Sequence, residues 1–129
     1  MRFSTKAEYG LKAMTNLAQC HPNQKTIGEI AKEENISQKY LERLMGLLRN
    51  GGVVQSSKGK QGGYMLAKEP KKIPVGEIIE LLDGEIAPMR CVGKFCSSEH
   101  KCPSSVVWNK LGVQIKKTLY SIKLNTLIK

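Results

Sequence analysis

From Thr5 to about Gln19 the apolar residues Ala7, Leu11, Met14 and Ala18 recur at steps of four, three and four. That spacing predicts a helix with one buried stripe, and Ser4 or Thr5 is placed to cap it. His21, Pro22 and Asn23 break the pattern. Thr26, followed three residues later by Glu29, reads as a capping box opening a short helix with Ile27, Ile30 and Ala31 turned inward. Asn35 and Ile36 make a tight turn. Ser37 then caps a helix whose apolar positions are Tyr40, Leu41, Leu44, Leu47 and Leu48, and Gly51 and Gly52 stop it. A short helix, a tight turn and a second capped helix make a helix-turn-helix.

Two strand-like runs follow, Val53–Gln55 and Tyr64–Leu66, around a polar Gly-rich tip that holds Lys58, Lys60 and no acid. They predict a β-hairpin wing. Pro74 sits at the first turn of another helix through Ile78, Ile79, Leu81 and Leu82, ended by Gly84. Residues 85–103 have no regular pattern and hold three of the four cysteines. From Ser104 to Lys129 the pattern reads as one helix, with Trp108, Leu111, Ile115, Leu119 and Ile122 spaced as a seam for another helix. About 24 residues of helix project roughly 36 Å, an arm that a lone small domain has little reason to build.

The expected fold is mainly α with a small β-hairpin wing. Residues 1–84 form a winged helix-turn-helix domain, 85–103 a cysteine loop and 104–129 a dimerisation helix. The plainer alternative for the arm is a terminal helix folded back on its own core.

Composition narrows the partner. The 129 residues are 40% hydrophobic, enough for a real core without disulfide staples. Lys and Arg number 21 against 11 acids, a net charge of +10 that favours an anionic partner. Residues 1–70 carry 11 bases and 6 acids and residues 71–129 carry 10 and 5, so each half is +5 and there is no separate basic tail. Aromatic residues make up 5%, few for a single-strand binder that stacks bases. Duplex DNA read by a helix is the better fit. No apolar run approaches the roughly 20 residues that span a bilayer, and the opening MRFSTKAEYG lacks a signal-peptide core. A cytoplasmic protein without a membrane partner is expected. In a reducing compartment its cysteines serve metal, cluster or redox chemistry rather than disulfides.

The polar face of the second helix carries the first candidate site. Ser37, Gln38, Lys39, Tyr40, Glu42 and Arg43 lie near its N-terminal end, where a recognition helix meets base edges. Gln and Arg pair bidentately with adenine and guanine, and Glu42 can accept from a cytosine amino group. Lys58 and Lys60 on the wing would reach phosphates or the minor groove. The bland reading is a solvated helix face with ordinary surface charges.

The second candidate is RCVGKFCSSEHKCP. Cys91, Cys96 and Cys102 are spaced C-x4-C-x5-C, with His100 between the last two. Three thiolates in one short loop can converge on a soft metal centre. The gaps are wider than the knuckle of structural zinc and suit a cluster better. A zinc site of three Cys and one His, or redox-active free thiols, are the rivals. Cys20 stands apart and reads as a small packed apolar residue.

These features together resemble a known family, the IscR/NsrR-like iron–sulfur winged-helix transcriptional regulators. The likeness covers nearly the whole chain. It rests on MRFSTKAEYGLKAM, on IAKEENISQKYLERLMGLLRNGGVVQSSKGKQGGYMLAKEP, on IPVGEIIELLDG and on the three-cysteine loop before a helix with an early Trp. The resemblance implies a homodimer on a palindromic operator with one iron–sulfur cluster, 2Fe–2S or 4Fe–4S, per subunit. It also implies DNA contacts from Lys39, Tyr40, Glu42, Arg43 and Lys58, the last an Arg in IscR-type members. Here the first cysteine gap is one residue shorter than in IscR-type members, and Ser105 stands where they have a ligand histidine. Some members complete the site with an acidic residue at the position of Glu8, donated by the partner subunit. Glu8 is therefore the favoured fourth ligand and His100 its rival.

The function expected is a DNA-binding regulator, in the first instance a repressor, whose operator affinity follows a cluster that senses iron–sulfur status, redox state or nitric oxide. The alternatives are a winged-helix regulator with a zinc or thiol-only site, and a carrier that hands clusters or electrons to a protein. Nothing in the sequence makes a catalytic constellation, so an enzyme is not expected.

Overall fold

Three hydroxyls start the first three helices. Ser4 Oγ accepts from the Ala7 amide at 3.3 Å, Thr26 Oγ1 from Glu29 at 3.1 Å and Ser37 Oγ from Tyr40 at 3.1 Å. Each satisfies an amide that the helix itself leaves without a partner. The helices are α1 (Thr5–Cys20), α2 (Ile27–Glu34) and α3 (Gln38–Asn50). The structure, a computed structural model, describes residues 3–57, 62–88 and 103–128. Asn35 at the end of α2 takes a left-handed φ of +54°, a conformation Asn tolerates, and this makes the sharp turn into α3.

The wing follows as an antiparallel pair, β1 (Val54–Ser57) and β2 (Gly63–Leu66), in the register Val54↔Leu66 to Ser57↔Gly63. Val53, Val54 and Leu66 are buried and root it in the core. A 3-10 turn at Pro70–Lys72 leads to α4 (Val75–Asp83), with Pro74 just outside the helix as its N-cap. The main core lies among α1, α2, α3 and α4, around Met14, Leu17, Ile30, Leu41, Leu44 and Leu48. Gly10 brings α1 close to α4, since a Cβ there would sit 2.1 Å from Leu82 Cδ1.

The C-terminal segment departs from expectation. A single helix to Lys129 is predicted, but α5 ends at Ser121 (Ser105–Ser121, 17 residues), about 25 Å long. Ile122 is extended, so it falls beyond the helix of which it was expected to be a seam position. The physical reason is competition for backbone partners. Val75 N–H donates to Ile122 O at 2.8 Å and Leu124 N–H to Ile73 O at 2.9 Å, which turns the chain back as a strap beside α4. Leu124 is fully buried in the main core, and Leu124–Leu127 close as a 3-10 turn. Part of the segment thus follows the plainer alternative of folding onto its own core.

The distal half of α5 docks as well. Ile115, Leu119 and Tyr120, with Ile122 just past the helix end, pack on a second small core of Ala7, Val75, Ile79 and Ile86. Tyr120 is the pin. Its hydroxyl donates to Glu80 Oε1 at 2.5 Å, and a Cβ at Gly76 would sit 2.2 Å from its ring. Burial and then the Glu80 carboxylate push its phenol up to about 12.

Candidate functional site

α3 has one face fixed and one face free. Leu41, Leu44, Met45 and Leu48 are buried, which turns Lys39, Glu42 and Arg43 outward, all three exposed. Ser37 and Gln38 are exposed at the helix start, and Gln38 Oε1 lies 4.0 Å from where a Cβ of Gly28 in α2 would be. The first turns of α2 and α3 therefore adjoin. Tyr40 belongs partly to the packing: it is half buried, its ring edge-on to Tyr9 with centroids 6.0 Å apart. A polar strip with two cations and one acid remains, suited to base edges and phosphates.

Gly46 lies on this same outward strip and escaped sequence reading. A Cβ there would meet nothing within 4 Å, so packing does not require the glycine. Mid-helix it costs about 1 kcal/mol relative to Ala. A glycine with no internal reason on an otherwise polar strip leaves room for close approach of another surface. The signal in the sequence was an isolated Gly inside a strongly periodic helix.

The wing stands beside this helix on the buried base already described. Its expected contact residues Lys58 and Lys60 lie outside the described residues. The same holds for Cys91, Cys96, Cys102 and His100. Among the described residues no group of three or more His, Cys, Asp or Glu is close enough to hold a metal ion. Cys20 is half buried at the end of α1, packed against the main core, and its thiol donates to the Leu17 and Asn23 carbonyls at 3.4 Å each.

Glu8 projects from the first turn of α1 with its side chain 60% exposed, 3.7 Å from Lys12 one turn on. Surface pairs of this kind hold a carboxylate weakly, so it is available to another partner. It lines an open, largely apolar groove of about 320 Å³ together with Phe3, Ala7, Leu11, Leu119 and Ile122. Three thiolates with one such carboxylate suit iron, since thiolate is a soft ligand and carboxylate a hard one that iron also accepts.

The expected seam is split by the fold. Ile115, Leu119 and Ile122 pack within the chain, Trp108 is half buried and Leu111 is 41% exposed. Val106, Val107 and Val113 add to the uncovered apolar surface of α5, at 54%, 56% and 65% exposed. Among the described residues no helix is long and apolar enough to cross a membrane.

Comparison with known proteins agrees with this geometry. The family model for Rrf2, an iron-dependent transcriptional regulator, matches residues 3–129. The HTH-type transcriptional regulator CymR of Bacillus subtilis is 37% identical over 128 residues, covering 98% of this chain and 89% of that protein. The HTH-type transcriptional regulator IscR of Klebsiella pneumoniae is 34% identical over 130 residues, covering 99% and 80%. Among solved structures, CymR of B. subtilis, the global cysteine regulator of that organism, superposes with a TM-score of 0.80 at 35% identity, covering 98% of this chain and 95% of that one. IscR of T. potens superposes at 0.77 with 39% identity, covering 98% and 85%.

Proposed function

The chain belongs to the Rrf2 family of transcriptional regulators, and on that premise we propose that it is a homodimeric cytoplasmic repressor whose grip on a palindromic duplex operator depends on an iron–sulfur cluster. Its relatives are winged-helix regulators of transcription, not enzymes. The observation that carries the finer reading is three thiolates, Cys91, Cys96 and Cys102, within 12 residues of the segment joining α4 to α5.

In this reading α3 enters the major groove, with Lys39, Glu42 and Arg43 toward the bases and Ser37, Gln38 and Tyr40 at its leading turn. Lys58 and Lys60 carry the wing to the backbone. Trp108 and Leu111, with the uncovered valines, meet a second copy; Ile115, Leu119 and Ile122 continue the same stripe at the base. Glu8 completes the donor set from the partner subunit, ahead of His100. A bound cluster, 2Fe–2S or 4Fe–4S, supplies a group sensitive to oxidants, nitric oxide and iron supply. The chain's own part is mechanical: α4 packs on α1 and α3, and α5 spaces the two subunits. A shift where the cysteine segment joins them changes the separation of two recognition helices from about one DNA turn, roughly 34 Å.

A second reading follows from the likeness to CymR, a cysteine regulator. There the same winged helix answers to cysteine supply without a cluster.

Anaerobic purification tests the choice. A brown protein containing iron and sulfide, with operator affinity that changes at least tenfold when the cluster is removed, is the expected result. A colourless protein, or one holding zinc, whose DNA affinity is indifferent to iron overturns the cluster reading. Glu8→Ala is expected to destabilise the cluster more than His100→Ala; the reverse order assigns the fourth ligand to His100.

A further inference from the structure

Lys25 lies between α1 and α2 and belongs to neither helix. Its backbone nevertheless extends the wing. Lys25 N–H donates to Tyr64 O at 2.9 Å, and Tyr64 N–H donates to Lys25 O at 2.8 Å, which forms an antiparallel bridge alongside β2. Gly63 permits that approach: its φ is +152°, and a Cβ there would lie 2.6 Å from the Lys25 carbonyl oxygen.

The side chain of the same residue is fastened to the helices. Its ammonium donates to Asn16 Oδ1 at 2.8 Å in α1 and to Glu33 Oε1 at 2.7 Å in α2. Asn16 is only 5% exposed, and its amide donates to Glu34 Oε2 at 2.7 Å, so both of its polar ends are in use. The hydrogen bond from Lys25 outweighs desolvation and holds the Glu33 carboxyl below the usual carboxylate range.

One residue therefore grips the wing by its backbone and the helix-turn-helix by its ammonium. We propose that Lys25 is a positioning residue for DNA recognition, fixing the angle between the wing and α3. This rests on the duplex-reading role proposed above. A two-stranded hairpin is barely stable alone. Lys25 clasps this one at Tyr64, the third of four paired positions out from the buried Val54↔Leu66 root, so without the clasp it is free to pivot about that root. Over four strand residues, about 13 Å, a rotation of about 15° at the base moves the tip by about 3 Å. That is the length of a hydrogen bond. Lys58 and Lys60 would then miss the backbone while α3 still sits in its groove.

An ion pair that merely closes a loop would affect stability and nothing else. A double-mutant cycle separates the two roles. The full-length protein is titrated by fluorescence anisotropy against a duplex selected from a random library with the wild-type chain. The variants are Lys25→Met, the pair Lys58→Ala with Lys60→Ala, and all three together. The wing pair is expected to weaken binding and to lower the log–log salt slope by about two units. Lys25→Met is expected to lose about tenfold in affinity in the wild-type background and nothing further beside the wing pair.

Losses that multiply would overturn the positioning role while leaving the wing contact standing. A wing pair that binds like the wild type would overturn both. Glu33→Gln keeps the test valid should Lys25→Met fold poorly, because Glu33 is exposed. It is expected to repeat the cycle and to speed hydrogen exchange at the Tyr64 amide but not at Leu44. Unchanged exchange at Tyr64 contradicts the proposal.

Discussion

The helix-turn-helix and the C-terminal arm bury their apolar residues in different ways. In α1 to α3 the large side chains Met14, Leu17, Ile30, Leu41, Leu44 and Leu48 are almost wholly enclosed within the chain. In α5 only Ser105 and Gly112 are buried, while its proximal half leaves Val106, Val107, Leu111 and Val113 in the open. In proteins most of a helix's stability comes from packing an apolar face rather than from propensity. The first region is complete by itself. The arm is held at its distal end by Tyr120 and the Leu124 strap, and its proximal half has the surface a second copy would cover. The boundary falls inside α5, between Leu111 and Ile115.

Substitutions on the two sides of that boundary should therefore act on different quantities. The largest effect is expected from Leu44→Ala, which empties a site in the closed core and should cost about 2–5 kcal/mol in urea denaturation. Leu111→Ala should leave the unfolding of an isolated subunit within about 0.5 kcal/mol, as a surface substitution does. Similar losses from both would erase the distinction.

Next is the pin at the distal end of the arm. Tyr120→Phe removes the hydrogen bond to Glu80 and should cost about 1 kcal/mol at neutral pH. The folded phenol titrates at about 12 against an ordinary value of 10.0. Between those values the folded state holds a proton that the unfolded state has released, so stability is full below pH 10 and is lost as pH rises toward 12. The melting temperature of the wild type should fall more steeply over that range than that of Tyr120→Phe. Parallel curves would show that the phenol is free of the Glu80 contact.

Features set by local interactions were legible in the sequence, and those set by distant partners were not. Ser4, Thr26 and Ser37 announced α1, α2 and α3 because a cap is a local interaction, written within four residues. Asn35 and Gly52 announced turns for the same reason. The end of α5 was hidden because Ile122 follows Leu119 at a helical step of three, and no glycine or proline marks the break. Only Ile73 and Val75, some fifty residues earlier, offer the backbone partners that stop the helix. Lys25 was hidden likewise, since its three partners Asn16, Glu33 and Tyr64 come from separate elements. The recognition face was legible as an amphipathic pattern, although the split role of Tyr40 needed Tyr9 beside it.

Gly46 gives the smallest expected effect and one of mixed sign. Gly46→Ala should stabilise α3 by up to about 1 kcal/mol, because nothing crowds an added Cβ. If the strip lies against DNA, operator affinity should fall at the same time. Thermal melting and anisotropy on one preparation read both, and a gain in each would place Gly46 outside the contact.

The most direct test of the division is Leu111→Asp in the full-length chain, followed by sedimentation velocity with circular dichroism on the same sample. Truncation before Leu111 is a poorer probe, since it also takes Leu124 out of the core. The expected result is a monomer with native helical content that binds a two-half-site duplex no better than a single half-site. A variant that remains a dimer at micromolar concentration, with operator affinity intact, would contradict the account and put the subunit interface elsewhere.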